Sequence, residues 1–409
     1  MSSPDRSEDI YERLEDALEA LPGGFTRTPN RLEMKLLRMA FSPDEALVAG
    51  TMSRKLETAA EIASRVGLPE AEVTVLLESM VPKRKVRQDI IGHQYAIQAA
   101  AKGGAKPGRK PKAESVKKYR LSPFIVGWYE GYMNESKPPA NKEFAQIFEQ
   151  YLIEGGGEKV FSPRPGTQGV IPYRGSLKPE WLEREPHNDI DAHFQRHDRF
   201  LVIDCVCKKE KVYCHGHSCE MSMRRCGFIG LPPATPLSEN VLTREEASKL
   251  WNELEGMGTM VHTGFYGFTM GAEAPQFVGA CNCCGCCCAF LNATRLAGLK
   301  ETVQRSNYRA VVAPDTCVAC GVCIERCPVH AIAEDENGEA KVERAKCIGC
   351  GVCVIGCPTD AIELVPVSAE EWFHTPSSMM EWEEMRLKNM AAEKLPAGQR
   401  PRLGNDQGK

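Results

Sequence analysis

All 19 cysteines of this 409-residue chain lie between Cys205 and Cys357, and the first 204 residues contain none. An odd count, adjacent thiols such as Cys283-Cys284 and the expectation of a reducing compartment argue against a disulfide framework and for metal-thiolate chemistry. The rest of the composition is ordinary. Hydrophobic residues make up 42% and charged residues 26%, a balance that supports packed domains, and at about 150 residues per domain the length points to two to four modules. The net charge of −4 advertises neither nucleic acid nor membrane as a partner of the whole chain. No run approaches the roughly 18 apolar residues of a membrane span, and the acidic start (Asp5, Glu8, Asp9, Glu12) lacks the pattern of a secretory signal, so no membrane span and a cytoplasmic location are expected.

Inside the cysteine zone the chain repeats itself. Cys317-x-x-Cys320-x-x-Cys323-x-x-x-Cys327-Pro328 returns thirty positions later as Cys347-x-x-Cys350-x-x-Cys353-x-x-x-Cys357-Pro358. Three thiolates at intervals of three wrap one corner of a cubane, while the fourth, after a longer gap and before proline, points toward a second cluster. A zinc site is the simpler alternative, but zinc usually pairs two Cys-x-x-Cys knuckles and needs neither the third cysteine nor the tandem repeat. Gly321 and Gly351 sit inside the ligand loops, where a tight backbone brings amide N–H groups toward sulfur. The segment resembles the bacterial two-cluster ferredoxins. The resemblance implies a ferredoxin-type βαββαβ fold, one [4Fe-4S] cluster on Cys317, Cys320, Cys323 and Cys357, and a second on Cys347, Cys350, Cys353 and Cys327. From Ala310 to Val367 nine acidic residues face four basic ones, which fits a docking face for a basic partner or an ordinary solvated surface.

The eleven remaining cysteines are Cys205, Cys207, Cys214, Cys219, Cys226, Cys281, Cys283, Cys284, Cys286, Cys287 and Cys288. Contiguous thiols cannot all ligate one metal without strain, so the run from Cys281 to Cys288 is expected to divide between centres, or between a centre and the core. A subset is expected to hold one or two further iron-sulfur centres, with zinc or packed free thiols as alternatives. His215, His217 and His262 are additional candidate ligands.

The cysteine-free part reads differently. Ile10, Leu14, Leu18 and Leu21 recur at helical spacing in an acidic amphipathic segment over residues 1–30, ended by Pro22-Gly23-Gly24. Residues 31–125 read as a winged-helix-like domain. It has a helix from Arg31 to Phe41, a second beginning near Ser42-Pro43-Asp44 and a helix pair from Thr58 to Met80 broken at Gly67, with Ile62, Val66, Val73, Leu76 and Leu77 facing inward, and two strands follow from Val86 to Ile97 and from Lys117 to Phe124. A connector is expected over 126–200, a cysteine-rich metal-binding domain over 201–300, the ferredoxin domain over 305–367 and a helical C-terminal tail over 368–409. The fold class is α+β, multidomain.

From Arg31 to about Pro366 this order of parts resembles a group of iron-sulfur proteins from anaerobic bacteria, on the strength of Cys205-Val206-Cys207, the run Cys281 to Cys288 and both ferredoxin motifs. The match implies a cofactor class rather than a reaction. In the winged helix, the helix from Pro69 to Met80 offers Glu70, Glu72 and Glu78 and no Lys or Arg, which opposes phosphate contact. The wing and its flanks carry Lys102, Lys106, Arg109, Lys110, Lys112, Lys117, Lys118 and Arg120 against Glu114, so DNA remains a second partner class behind protein docking. No G-x-G-x-x-G after a strand, no P-loop and no radical-type cysteine motif occurs. The expected function is electron transfer through two [4Fe-4S] clusters to or from a redox partner protein, a flavin or molybdenum/tungsten oxidoreductase, as a component of an oxidoreductase system. A redox-sensing regulator and an oxidoreductase with its active site on a middle-region metal centre are the rival readings.

Overall fold

The computed structural model describes residues 6–90, 116–135, 138–161, 164–231, 233, 235–258, 260–265, 279–297, 302–376 and 379–393. Helices and strands are mixed, and packing divides the chain into Met1–Val160 and Phe161–Lys409.

In the N-terminal unit, helices Arg6–Glu19, Leu32–Ala40, Pro43–Ala49, Ala59–Val66 and Glu70–Met80 follow one another. Two begin with reciprocal caps: Ser42 accepts from the Glu45 amide while the Glu45 carboxylate accepts from the Ser42 amide, and Thr58 and Glu61 do the same. Gly67 ends the helix Ala59–Val66 at φ 79°, a conformation that a side chain would strain. Val73, Leu77 and Met80, at i, i+4 and i+7, form the buried stripe of the next helix; Leu76, expected inside, falls beside that stripe and is half-buried, as is Val66 at the end of the helix before it. Strands β1 (Glu57–Thr58), β2 (Val86–Ile90) and β3 (Lys117–Leu121) pair antiparallel in the order β1-β3-β2. The expected continuation from Ile91 to Ile97 and the basic loop up to Glu114 lie outside the described residues.

The segment 126–200, expected as a connector, supplies core to both units. Trp128, Tyr129, Phe144, Phe148 and Tyr151 join Phe25, Phe41 and Phe124 in an aromatic core, with Phe25 and Phe124 edge-to-face at 5.2 Å. Its later part gives strand β4 (Gln168–Ile171) to the C-terminal unit.

There, β4, β5 (Arg199–Asp204), β6 (Arg224–Leu231), β7 (Val241–Thr243), β8 (Met260–Phe265) and β9 (Ala280–Cys284) form an antiparallel sheet in the order β4-β8-β9-β6-β5-β7. The helix Arg244–Gly256 begins at a capping box of Thr243 and Glu246 and lays Ala247, Trp251 and Leu254 against Phe200, Val202, Phe228 and Met260 of the sheet. The C-terminal stretch is part of this core rather than a tail. Trp382 is buried in it and donates to the Gly166 carbonyl at 3.0 Å, and Arg386 donates to the Pro165 carbonyl at 2.9 Å.

The tandem motif lies on β10 (Tyr308–Val312), helix Val322–Arg326, β11 (Ile332–Glu334), β12 (Ala340–Val342), helix Val352–Ile355 and β13 (Ile362–Pro366). β10 pairs with β13 and β11 with β12, both antiparallel, around Tyr308, Ala310, Ala331, Ile332, Ile362 and Leu364. The duplication extends to the backbone. Left-handed φ values recur thirty residues apart at Ala319 (53°) and Gly349 (71°), Gly321 (73°) and Gly351 (75°), and His330 (51°) and Asp360 (52°).

Candidate metal centres

Each half of the duplicated segment opens a left-handed turn, then a short helix, then a turn at proline, and the thiols converge between halves. Cys317, Cys320, Cys323 and Cys357 line one pocket, and Cys327, Cys347, Cys350 and Cys353 line another. The fourth cysteine of each motif therefore faces the pocket of the other motif. The turn after it feeds sulfur with a hydrogen-bond donor: the Ala331 amide donates to Cys327 Sγ at 3.1 Å and the Ala361 amide to Cys357 Sγ at 3.2 Å. Such amides stabilise the charge of a cluster-bound thiolate.

The two pockets differ in depth. Cys327, Cys347, Cys350 and Cys353 are all buried, whereas Cys320 is exposed and Cys317 and Cys357 are half-buried. Around the deep pocket the chain leaves no room for side chains: a Cβ at Gly349 would lie 2.2 Å from the Tyr308 carbonyl oxygen, and one at Gly351 2.3 Å from Ser176 Oγ. Burial, reinforced by the neighbouring Cys347 and Cys327, pushes the Cys350 thiol up to about 12. Four bare thiolates would repel one another there, so the donor set fits a cationic iron-sulfur core that supplies the missing positive charge. At the shallow pocket, burial works against the Cys357 thiolate but the amides of Thr359 and Ala361 lower its pKa.

The other cysteines separate by strand alternation. Successive side chains of β9 point to opposite faces, so Cys281 and Cys283 leave on one side and Cys284 on the other. On the first side the free thiols form a string: Cys226 Sγ lies 2.9 Å from Cys281 Sγ across β6 and β9, and side-chain hydrogen-bond interactions link Cys281 with Cys283, Cys283 with Cys288, Cys288 with Cys207 and Cys207 with Cys205. Cys205 is the N-cap residue of helix Val206–His215 and Cys207 lies in its first turn; the hydrogen bond with Cys207 and burial push the Cys205 thiol up, and the Cys207 thiol, though its bond with Cys205 lowers it, is pushed up by its bond with Cys288 and by burial. Bonds from Cys281 and Cys288 pull the Cys283 thiol down to about 5.

On the second side Cys219, Cys284, Cys286 and Cys287 converge, with all four sulfurs within 4.8 Å of one another. Buried Arg225 donates to Cys284 Sγ at 3.1 Å. The Cys284 thiol is held at about 4, first by its bond with Cys287, with Arg225 adding its charge against burial. Cys214 stands in the last turn of helix Val206–His215, outside both groups. The rings of His215 and His217 lie 6.5 Å apart and tilted by 55°. His262 faces neither group of thiols: it stacks on Tyr173 at 4.2 Å and Trp251 at 4.6 Å, and its Nε2 bonds to Glu255 Oε1 at 3.0 Å.

The two cysteine regions touch. Gly285 packs against Pro328, the residue after Cys327, and the amide of Tyr173 donates to the Cys350 carbonyl at 3.0 Å. Tyr173 stacks on His262, whose strand partner Asn282 sits between Cys281 and Cys283. Arg225, Tyr173 and Glu255 carry no motif, so only the fold reveals them, and it turns His262 from a candidate ligand into the partner of Glu255.

A family described as a 4Fe-4S dicluster domain matches residues 310–364, which is 55 of the 409 residues. No curated protein matches the chain. The dicluster match, with the cysteine-rich region beside it, supports an iron-sulfur protein. No helix among the described residues is long and apolar enough to cross a membrane.

Proposed function

We propose that the chain is an electron-transfer component of an oxidoreductase system, acting in a reducing compartment and joining a partner protein to its own cysteine-rich region. The carrying observation is the contact of Gly285 with Pro328, which sets the run Cys281 to Cys288 against a thiol-lined pocket. The ligand sets are Cys317, Cys320, Cys323 and Cys357 for one [4Fe-4S] cluster and Cys327, Cys347, Cys350 and Cys353 for the other. When bound, such clusters supply one-electron transfer. The residues divide the remaining work. The exposed rim of the shallow pocket, with Cys320 exposed and Val318 59% exposed, is the face a redox partner meets, and the exposed carboxylates Asp315 and Glu325 beside it favour a basic partner. The buried set is the inner station, shielded from solvent by Tyr308, Ser176 and Gly285. The string Cys205, Cys207, Cys288, Cys283, Cys281 and Cys226 is the site of a further iron-sulfur centre.

The winged-helix reading of the N-terminal unit is a docking use. Its helix Glu70–Met80 presents exposed Glu70 and Glu72 and leaves Val75 68% exposed, while Lys117 of β3 is paired with Glu78 at 2.5 Å. Those features favour a protein surface over phosphate.

The test is stepwise reduction of the anaerobic protein followed by electron paramagnetic resonance. Two interacting [4Fe-4S] signals are expected, and Cys320→Ser should remove one of them while slowing reduction by an external donor. A protein with no such signals would overturn the reading.

A further inference from the structure

Eight motif thiols and six string thiols leave Cys214, which stands apart in the last turn of its helix, and the quartet Cys219, Cys284, Cys286 and Cys287, whose geometry differs from that of the ferredoxin pockets. Cys219 Sγ lies 3.7 Å from Cys284 Sγ and 3.6 Å from Cys287 Sγ, and Cys286 and Cys287 are 3.7 Å apart. A tetrahedral ion with metal–sulfur bonds of about 2.3 Å places its four sulfurs about 3.8 Å from one another. A cubane instead puts each thiolate on a separate iron and spreads them farther. In keeping with that contrast, among the described residues no three of the eight motif thiols come within 4.8 Å of one another, while all four of this quartet do.

We propose that Cys219, Cys284, Cys286 and Cys287 hold one mononuclear zinc ion, separate from the iron-sulfur centres. The chain converges on this point for local reasons. It turns sharply at Gly285 to Cys287, with the Cys288 amide donating to the Cys284 carbonyl at 3.2 Å, so three thiols of a four-residue stretch face one place. The fourth arrives on the loop after helix Val206–His215, which buried Lys208 fixes by donating its amino group to the Cys219 and Met221 carbonyls. Four thiolates around a divalent ion carry a net charge of −2, and Arg225 and Lys208 are two buried cations beside them. At such a thiolate site zinc binds more tightly than ferrous iron by the general ordering of divalent metals, and its closed shell imposes no geometry that adjacent ligands would violate. The ion would clamp the Cys281 to Cys288 run to the loop at Cys219, and so hold the string thiols on β9 and Cys288 in register.

The experiment is metal analysis with zinc-edge X-ray absorption on the full-length chain purified without oxygen, beside Cys219→Ser and Cys286→Ser. The expected result is one zinc per chain with four sulfur neighbours at about 2.3 Å and no metal neighbour. Each variant should lose the zinc and keep the iron and sulfide of the tandem motif. Cys286 is exposed, so its variant tests ligation without opening the core. Absence of zinc from the wild type, or loss of iron and sulfide in place of zinc in the variants, would overturn the proposal, and iron at the tandem motif is read independently in the same samples.

Discussion

Gly285 and Pro328 meet so closely that a Cβ on residue 285 would lie 2.7 Å from the Pro328 carbonyl oxygen. The relationship joins a turn in the cysteine run to the residue that follows Cys327. Any side chain at 285 must push apart two places where thiols are positioned.

Gly285→Ala is therefore expected to disturb the deep set through Cys327 and leave the shallow set unchanged. In electron paramagnetic resonance of the reduced protein, one of the two cluster signals should shift while the other persists. Identical spectra for both clusters in variant and wild type would refute this coupling.

The duplicated left-handed positions make opposite predictions. Ala319 carries a side chain at φ 53°, where its counterpart is Gly349 at φ 71°. Ala319→Gly should relieve about 1 kcal/mol of strain, while Gly349→Ala should cost several times that, because the new methyl would meet Ser306 and Tyr308. Thermal melting of the two anaerobic proteins gives the sign of each change.

Glu255 sets a pH dependence. Burial alone would raise its pKa, but the bonds from His262 and Arg174 hold it at about 2. Its folded value thus lies below the unfolded one, so its contribution to stability is present above about pH 4.5 and is lost as pH falls toward 2. His262 acts in the same sense: burial lowers its pKa, so folding opposes its protonation as pH falls through the ordinary imidazole range. Denaturation followed by tryptophan fluorescence should show stability falling below the ordinary carboxylate range, and Glu255→Gln should flatten that slope.

Duplex DNA is expected not to bind the holo-protein in a salt-dependent manner at low ionic strength. Fluorescence anisotropy with a labelled duplex checks this, and an affinity that weakens steeply with added salt would restore the regulator reading.

Much of the duplicated segment could be read from sequence, because ligand spacing, proline and repeat are local properties of the chain. The division of Cys281 to Cys288 into two groups was legible only as an expectation that adjacent thiols must separate. Which thiol goes where depends on the phase of β9 against β6 and β8, a long-range pairing that places Cys226 opposite Cys281. The segment 126–200 looked like a connector because its aromatic residues are scattered among glycine and proline. Trp128, Phe144 and Tyr151 become core only once the helices that carry them pack against Phe25 and Phe124. Trp382 was hidden for the same reason, being the one aromatic residue of the charge-rich helix Met379–Glu393.

The most direct measurement is iron and acid-labile sulfide per chain after strictly anaerobic purification. Two cubanes on the tandem motif predict at least about eight of each, with a brown protein and any excess assigned to the string from Cys205 to Cys226. A colourless chain whose motif thiols carry zinc and no sulfide would contradict the account.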